Sequence, residues 1–167
     1  MKILRNTLGP ELASIIGFVN ALVLTAHFAT LEDPAIANGA TAGKLKTVNA
    51  VDYTVAGVRE NKAATDDLWD LTGETTNGAA EFRAYWLYVD ASGTATIDGG
   101  TAGTDEASAL AKLPDFDETQ SVIGVYIGGV DTDYTLALAA QGTIHDGIPA
   151  GVPGMPDRPE FVKLVAP

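Results

Sequence analysis

The chain has 167 residues, no cysteine, and a net charge of −12 from 22 Asp and Glu against 10 Lys and Arg. That length fits one domain with a core of its own, plus short arms. The missing cysteines exclude disulfides and Cys-based zinc or iron–sulfur sites. The acidic balance argues against nucleic acid, whose binding needs Lys and Arg to displace counterions.

Residues 12–31 contain no Asp, Glu, Lys or Arg. The run is long enough for a membrane span, and Lys2 and Arg5 precede it as in a signal peptide. Glu11 at its entrance, and Ser14, Asn20, Thr25 and His27 within it, weigh against both readings. No small-x-small cleavage site follows. The preferred reading is a helix starting after Gly9-Pro10. Leu12, Ile15, Ile16, Val19, Leu22, Val23 and Ala26 repeat at three- and four-residue steps along one stripe. Phe18, Ala21 and Leu24 lie off it, so the helix is apolar nearly all round and needs burial in its own fold or against a partner. Leu12, Ile15, Ile16, Val19, Leu22 and Val23 are therefore candidate partner-binding residues. No membrane is expected as the partner.

Residues 32–47 are small, polar and Gly-containing, and read as a linker that closes an N-terminal arm over 1–47. A β-domain is expected over 48–148. Val51, Tyr53 and Val55 alternate with Asp52 and Thr54, Ala56-Gly57 makes a turn, and Val58-Arg59-Glu60 starts the return. Trp69 stands among Asp66, Asp67 and Asp70, as a turn or a ligand-like anchor. In residues 82–98, Phe82, Ala84, Trp86 and Tyr88 share one strand face, and Arg83, Tyr85, Leu87 and Val89 the other. Both faces need cover. Asp90-Ala91-Ser92-Gly93 supplies the turn into a second strand.

Residues 105–112 read as a short helix, with acids at its start and Lys112 at its end. Leu113-Pro114 ends it. Residues 121–130 form the strongest continuous strand, in which Gly124, Gly128 and Gly129 mark bulges or close backbone approach. Tyr134–Leu138 is a weaker strand. The tail over 149–167 holds Pro149, Pro153, Pro156, Pro159 and Pro167, which exclude helix and central strand and favour an extended course. Pro153, Pro156, Phe161 and Leu164 join the candidate partner-binding residues. Short strands with turn signals between them predict a mainly β fold, a β-sandwich or jelly-roll-like domain with an N-terminal helix and an extended tail.

Chemistry is sparse. His27 and His145 are isolated, and no G-x-S-x-G elbow, Walker loop or G-x-G-x-x-G is present. Gly99-Gly100-Thr101-Ala102-Gly103 reads as a loop. Asp131-Thr132-Asp133 and Asp115-Phe116-Asp117-Glu118 offer oxygen ligands of the kind calcium takes, without EF-hand spacing, and solvated acidic loops are the preferred reading. No catalytic residue, metal ligand or cofactor is expected.

Ala64-Thr65-Asp66-Asp67-Leu68-Trp69-Asp70-Leu71, then Tyr85 to Thr94, then Leu113-Pro114 leading into Ser121-Val122-Ile123-Gly124-Val125-Tyr126, carry a family resemblance. Over roughly residues 50–150 the chain resembles head decoration (cement) and head-fibre structural proteins of tailed bacteriophages. The resemblance implies a non-enzymatic, oligomeric β-domain on the virion surface, assembled in the host cytoplasm. Its partners would be the major capsid protein and further copies of itself, as a dimer or trimer. Two other classes stay open. One is a receptor- or carbohydrate-binding fibre or adhesin module, with Trp69 and Trp86 as stacking platforms. The other is a secreted β-protein with residues 1–29 as its signal.

Overall fold

The computed structural model describes residues 30–149 and residue 152. The chain is mainly β. Its strands are β1 (Ile36–Asn38), β2 (Lys44–Thr47), β3 (Val51–Val55), β4 (Val58–Lys62), β5 (Trp69–Asp70), β6 (Arg83–Asp90), β7 (Ala95–Gly99), β8 (Gln120–Gly128) and β9 (Gly142–Asp146). A short helix, α1 (Glu106–Leu110), precedes β8, and a 3-10 turn (Leu138–Ala140) precedes β9. Three antiparallel sheets result, ordered β1-β2-β5, β3-β4 and β7-β6-β8-β9.

The four-stranded sheet is the middle layer, and its alternating side chains feed two cores. Tyr85, Leu87 and Val89 of β6 join Ile123 and Tyr126 of β8 on one face. There they meet Ile36, Leu45, Val51, Tyr53, Val55, Trp69 and Leu71 from the two small sheets. Ala84, Trp86 and Tyr88 meet Val122, Val125 and Ile127 on the other face, under Ala109 and Leu110 of α1 and Leu113, Phe116, Ile148 and Val152. The sheet-on-sheet side is a sandwich, and the sheet is open, with β7 and β9 at its edges. The two-faced reading of residues 82–89 holds residue by residue.

Local chemistry accounts for the turns. Asp90 Oδ1 accepts from Ser92 N (2.8 Å), Ser92 Oγ (2.7 Å) and Thr94 N (2.9 Å), and Gly93 takes φ 80°. The β3–β4 turn is Ala56-Gly57, with φ 51° and 80°, the pairing that a two-residue type I′ hairpin requires. α1 opens on Asp105, whose side chain accepts from Ser108 N at 2.6 Å. In β8 the register shifts opposite Leu87 and Tyr88, and Gly124 sits at that bulge. A Cβ there would lie 2.5 Å from the His145 carbonyl oxygen and against Ile36 Cδ1. At Gly128 a Cβ would lie 2.5 Å from the Tyr134 hydroxyl.

Two expectations need correction. Residues 32–47 are not a linker: they hold β1 and β2, which bury Ile36, Leu45 and Thr47. Small, polar residues hide strands whose only large anchors are two aliphatics. Tyr134–Leu138 is not a strand. Asp133 Oδ1 accepts from Thr135 N (2.9 Å) and Oγ1 (2.7 Å), and Leu136 N bonds Asp133 O (3.0 Å), so the chain turns there. The strand instead follows, as Gly142–Asp146 paired to β8, where His145 lies opposite Val125. The expected N-terminal helix, and the tail apart from Pro149 and Val152, lie outside the described residues.

Candidate functional site

The residues with the most conspicuous chemistry are spent on the fold. Trp69 is fully buried and its Nε1 donates to Tyr88 O at 3.0 Å. Trp86 is fully buried and its Nε1 donates to Pro114 O at 3.1 Å. Neither indole offers an open face, so neither is a sugar-stacking platform in this domain. Trp69 is a core residue, not the ligand-like anchor that its acidic neighbours suggest.

Tyr85, Tyr126 and Tyr134 pack at one end of the first core, with Tyr134 edge-on to Tyr85 at 5.4 Å between centroids. Asn77 closes that end: its Nδ2 donates to Gly128 O (3.0 Å) and Gly129 O (2.9 Å). The Tyr134 hydroxyl donates to Asn77 Oδ1 at 3.3 Å. Burial pushes all three phenols up, and pushes Tyr88 up to about 12. They stay protonated; the Tyr126 hydroxyl donates to Leu138 O at 3.2 Å, while among the described residues the buried Tyr85 hydroxyl has no hydrogen-bond partner.

One acid of each suspected calcium loop folds back on its own turn. Asp117 Oδ1 accepts from Thr119 N (2.9 Å) and Oγ1 (2.7 Å), and Asp133 does the same with Thr135. With Asp70–Thr72 and Asp90–Ser92 the device recurs: an Asp whose carboxylate holds the amide and hydroxyl two residues on. Among the described residues no group of three or more His, Asp or Glu side chains is placed to hold a metal ion. The glycine loop is tied into the ladder, with Gly100 N on Ala84 O (2.9 Å) and Gly103 N on Phe82 O (2.8 Å), so these amides do not point at a ligand. Among the described residues no helix is long and apolar enough to cross a membrane.

The candidate partner-binding residues Leu12, Ile15, Ile16, Val19, Leu22, Val23, Pro153, Pro156, Phe161 and Leu164 all lie outside the described residues. What the structure places is where their two arms join the domain. Thr30 Oγ1 donates to Val122 O at 2.7 Å, and Leu31 N donates to Asp52 O at 2.7 Å. Gly147 N donates to Ile123 O at 2.9 Å. The N-terminal and C-terminal connections thus meet consecutive carbonyls of β8. Ile148 and Val152 then bury themselves on the Trp86 face. The tail therefore starts as part of the domain, and the expected boundary at 148 moves to Val152. The apolar character of Ile148 and Val152 within a Pro- and Gly-rich run is the sequence signal for this.

Charge separates domain from arms. Between residues 30 and 152 the cations are Lys44, Lys46, Arg59, Lys62, Arg83 and Lys112, set against 19 acids. Most of the six are engaged locally: Lys44 with Asp70 (3.2 Å), Lys46 with Asp66 (3.7 Å) and Arg59 with Asp52. Lys62 bonds Gly93 O (2.7 Å) and Lys112 bonds Ala102 O (2.5 Å). The domain surface is left strongly acidic.

Comparison with known protein families, with curated proteins and with solved structures gives no match for this chain.

Proposed function

We propose that this chain is a virion structural protein: a decoration, or cement, protein that binds the assembled head of a tailed bacteriophage. It holds neighbouring capsid subunits together and carries no catalytic centre. A ligand that binds only the assembled shell stabilises that shell by mass action. Copies joined to one another add avidity to each weak contact.

The observation that carries this reading is the junction at β8. Two connections to apolar or Pro-rich arms meet one short stretch of one strand, Val122–Ile123. That is the arrangement of a rigid body with two attachment segments, one entering at Thr30 and the other leaving beyond Val152 on the Trp86 face. Both tryptophans being buried removes the aromatic platforms on which the adhesin alternative depends.

The test is sedimentation of the purified full chain with phage heads that lack their decoration protein, and with unassembled major capsid protein. Co-sedimentation with heads, no affinity for free subunits, and a raised melting temperature of the decorated heads are expected. Equal binding to both forms, or none to heads, refutes the reading.

A further inference from the structure

We propose that Asn77-Gly78 is a self-modification site. The Gly78 nitrogen closes on the Asn77 carboxamide to give a cyclic imide, with Glu81 as the base, and water opens the imide to aspartate or isoaspartate. The site does not depend on what the domain binds.

The chain holds two Asn-Gly pairs, Asn38-Gly39 and Asn77-Gly78. In such a pair the nitrogen after Asn belongs to a residue with no side chain to hinder it, and its attack on Cγ closes a five-membered ring. The fold treats the two pairs differently. Gly39 N donates to Lys44 O at 2.8 Å beside the β1–β2 turn, so the backbone holds its proton. Gly78 N donates instead to Glu81 Oε2 at 3.0 Å, within the reach of a carboxylate that takes a proton. The turn at Gly78–Glu81 brings that carboxylate back: Glu81 N donates to Gly78 O at 3.2 Å, with Ala80 at φ 64°.

The electrophile is prepared as well. Asn77 is buried, and its Oδ1 accepts from the Tyr134 hydroxyl at 3.3 Å. Negative charge develops on that oxygen as nitrogen adds to Cγ, and a donor already aimed at it in a buried setting stabilises the charge. Nδ2, the leaving nitrogen, donates to Gly128 O and Gly129 O at 3.0 and 2.9 Å. Those two bonds oppose closure, because the carboxamide must leave them to react. Opening two such bonds slows closure about 30-fold. A positioned base contributes about 10²- to 10⁴-fold, so the folded site still favours reaction.

The step balances without any partner but water. Glu81 takes the Gly78 N–H proton, and the nitrogen forms a bond to Cγ. The Cγ–Nδ2 bond breaks, and the proton leaves with Nδ2 as ammonia. Water then adds at Cγ, giving aspartate, or at the Asn77 backbone carbonyl, giving isoaspartate. Aspartate sets a buried carboxylate against the Gly128 and Gly129 carbonyl oxygens, with both donors gone. Isoaspartate also lengthens the main chain by one carbon. Either product loosens the end of the first core that Asn77 closes.

Peptide mass spectrometry on the full chain tests this, aged folded in buffer and separately in guanidinium chloride, with Asn38 as the control in the same molecule. In the folded chain Asn77 should convert about tenfold faster than Asn38, or more. In denaturant the two should convert at similar rates. Glu81→Gln keeps an oxygen acceptor for Gly78 N but removes the base, and should slow Asn77 about tenfold or more while Asn38 keeps its rate. Asn77→Asp, one product made directly, should lower the melting temperature. An Asn77 that stays intact, or converts no faster than Asn38 in the folded chain, overturns the proposal. So does a Glu81→Gln rate equal to wild type. A Glu81→Gln chain that fails to fold shows itself by Asn38 reaching its denatured rate, and the wild-type comparison of the two asparagines then decides. An Asn77→Asp chain that melts with wild type refutes the loosening.

Discussion

Trp86 joins the two sides of the second core. Its ring lies 6.0 Å from Tyr88 between centroids, and its indole nitrogen ties β6 to the loop at Pro114. Trp86→Ala removes the largest side chain of that core and leaves the Pro114 carbonyl without its donor. A loss of about 3–5 kcal/mol in urea unfolding is expected. A variant that unfolds at the wild-type urea concentration would show that the residue is not structural. Ser121 gives the opposite case. It is fully buried in β8 opposite Val89, and among the described residues its Oγ has no hydrogen-bond partner. The hydroxyl therefore carries a desolvation cost with nothing to offset it. Ser121→Ala should leave the unfolding midpoint unchanged or raise it, by up to about 1 kcal/mol. A clear loss of stability would mean that the hydroxyl is bonded in solution.

Among the elements, the hairpins are where sequence and structure agree best, and their turns invite two tests. Ala56 holds φ 51° in the β3–β4 turn, a left-handed conformation that costs an alanine about 1 kcal/mol or more. Ala56→Asn creates the Asn-Gly pair that this turn type favours. It should raise stability by about 0.5–1 kcal/mol in thermal melts, and a lowered melting temperature would count against the turn assignment.

The Asp turns set the acid response. Asp70, Asp90, Asp117 and Asp133 are held below the ordinary carboxyl value of 3.8, first by the side chains of Thr72, Ser92, Gln120 and Thr135 and then by neighbouring hydroxyl and amide donors. A carboxyl depressed by folding stabilises the fold above its unfolded value, and that contribution is lost as pH falls through the folded value. Asp98 moves the other way, raised by burial and then by Asp117, one aspartate against seven, since Asp52, Asp67 and Asp105 are lowered as well. The melting temperature should therefore fall on acidification from about pH 4 to about pH 2. A flat profile over that interval would show that these turns contribute nothing.

The elements the sequence made legible, β3–β4, β6–β7, α1 and β8, are those whose hydrophobic pattern and turn residues agree locally. β1, β2 and β9 were not legible, because Ile36–Asn38, Lys44–Thr47 and Gly142–Asp146 become strands only through pairing with distant segments.

At the scale of the molecule, the candidate attachment residues could be named from the stripe Leu12–Val23 and from the apolar end of the tail. Where the arms leave could not, since the bond from Thr30 to Val122 spans 92 residues. That junction sharpens the decisive truncation. Removing residues 1–28 keeps Thr30 on Val122 and Leu31 on Asp52, so the domain loses none of its described bonds. The 19 acids against six cations that remain between residues 30 and 152 make two such domains repel. In the reading proposed above, burial of the Leu12–Val23 stripe against another copy offsets that repulsion, at roughly 0.8 kcal/mol per buried methylene. The truncated chain should therefore keep its circular dichroism and melting temperature, and fall to monomer mass in light scattering. Val19→Asp in the full chain should do the same, because it places an unpaired carboxylate on the stripe proposed to be buried. Raising the salt concentration screens the repulsion and should partly restore the assembly of Val19→Asp, but not of the truncation, which has no stripe to bury. A truncated protein that stays assembled and stays on heads would make the segment dispensable, and attachment would then rest on the tail alone.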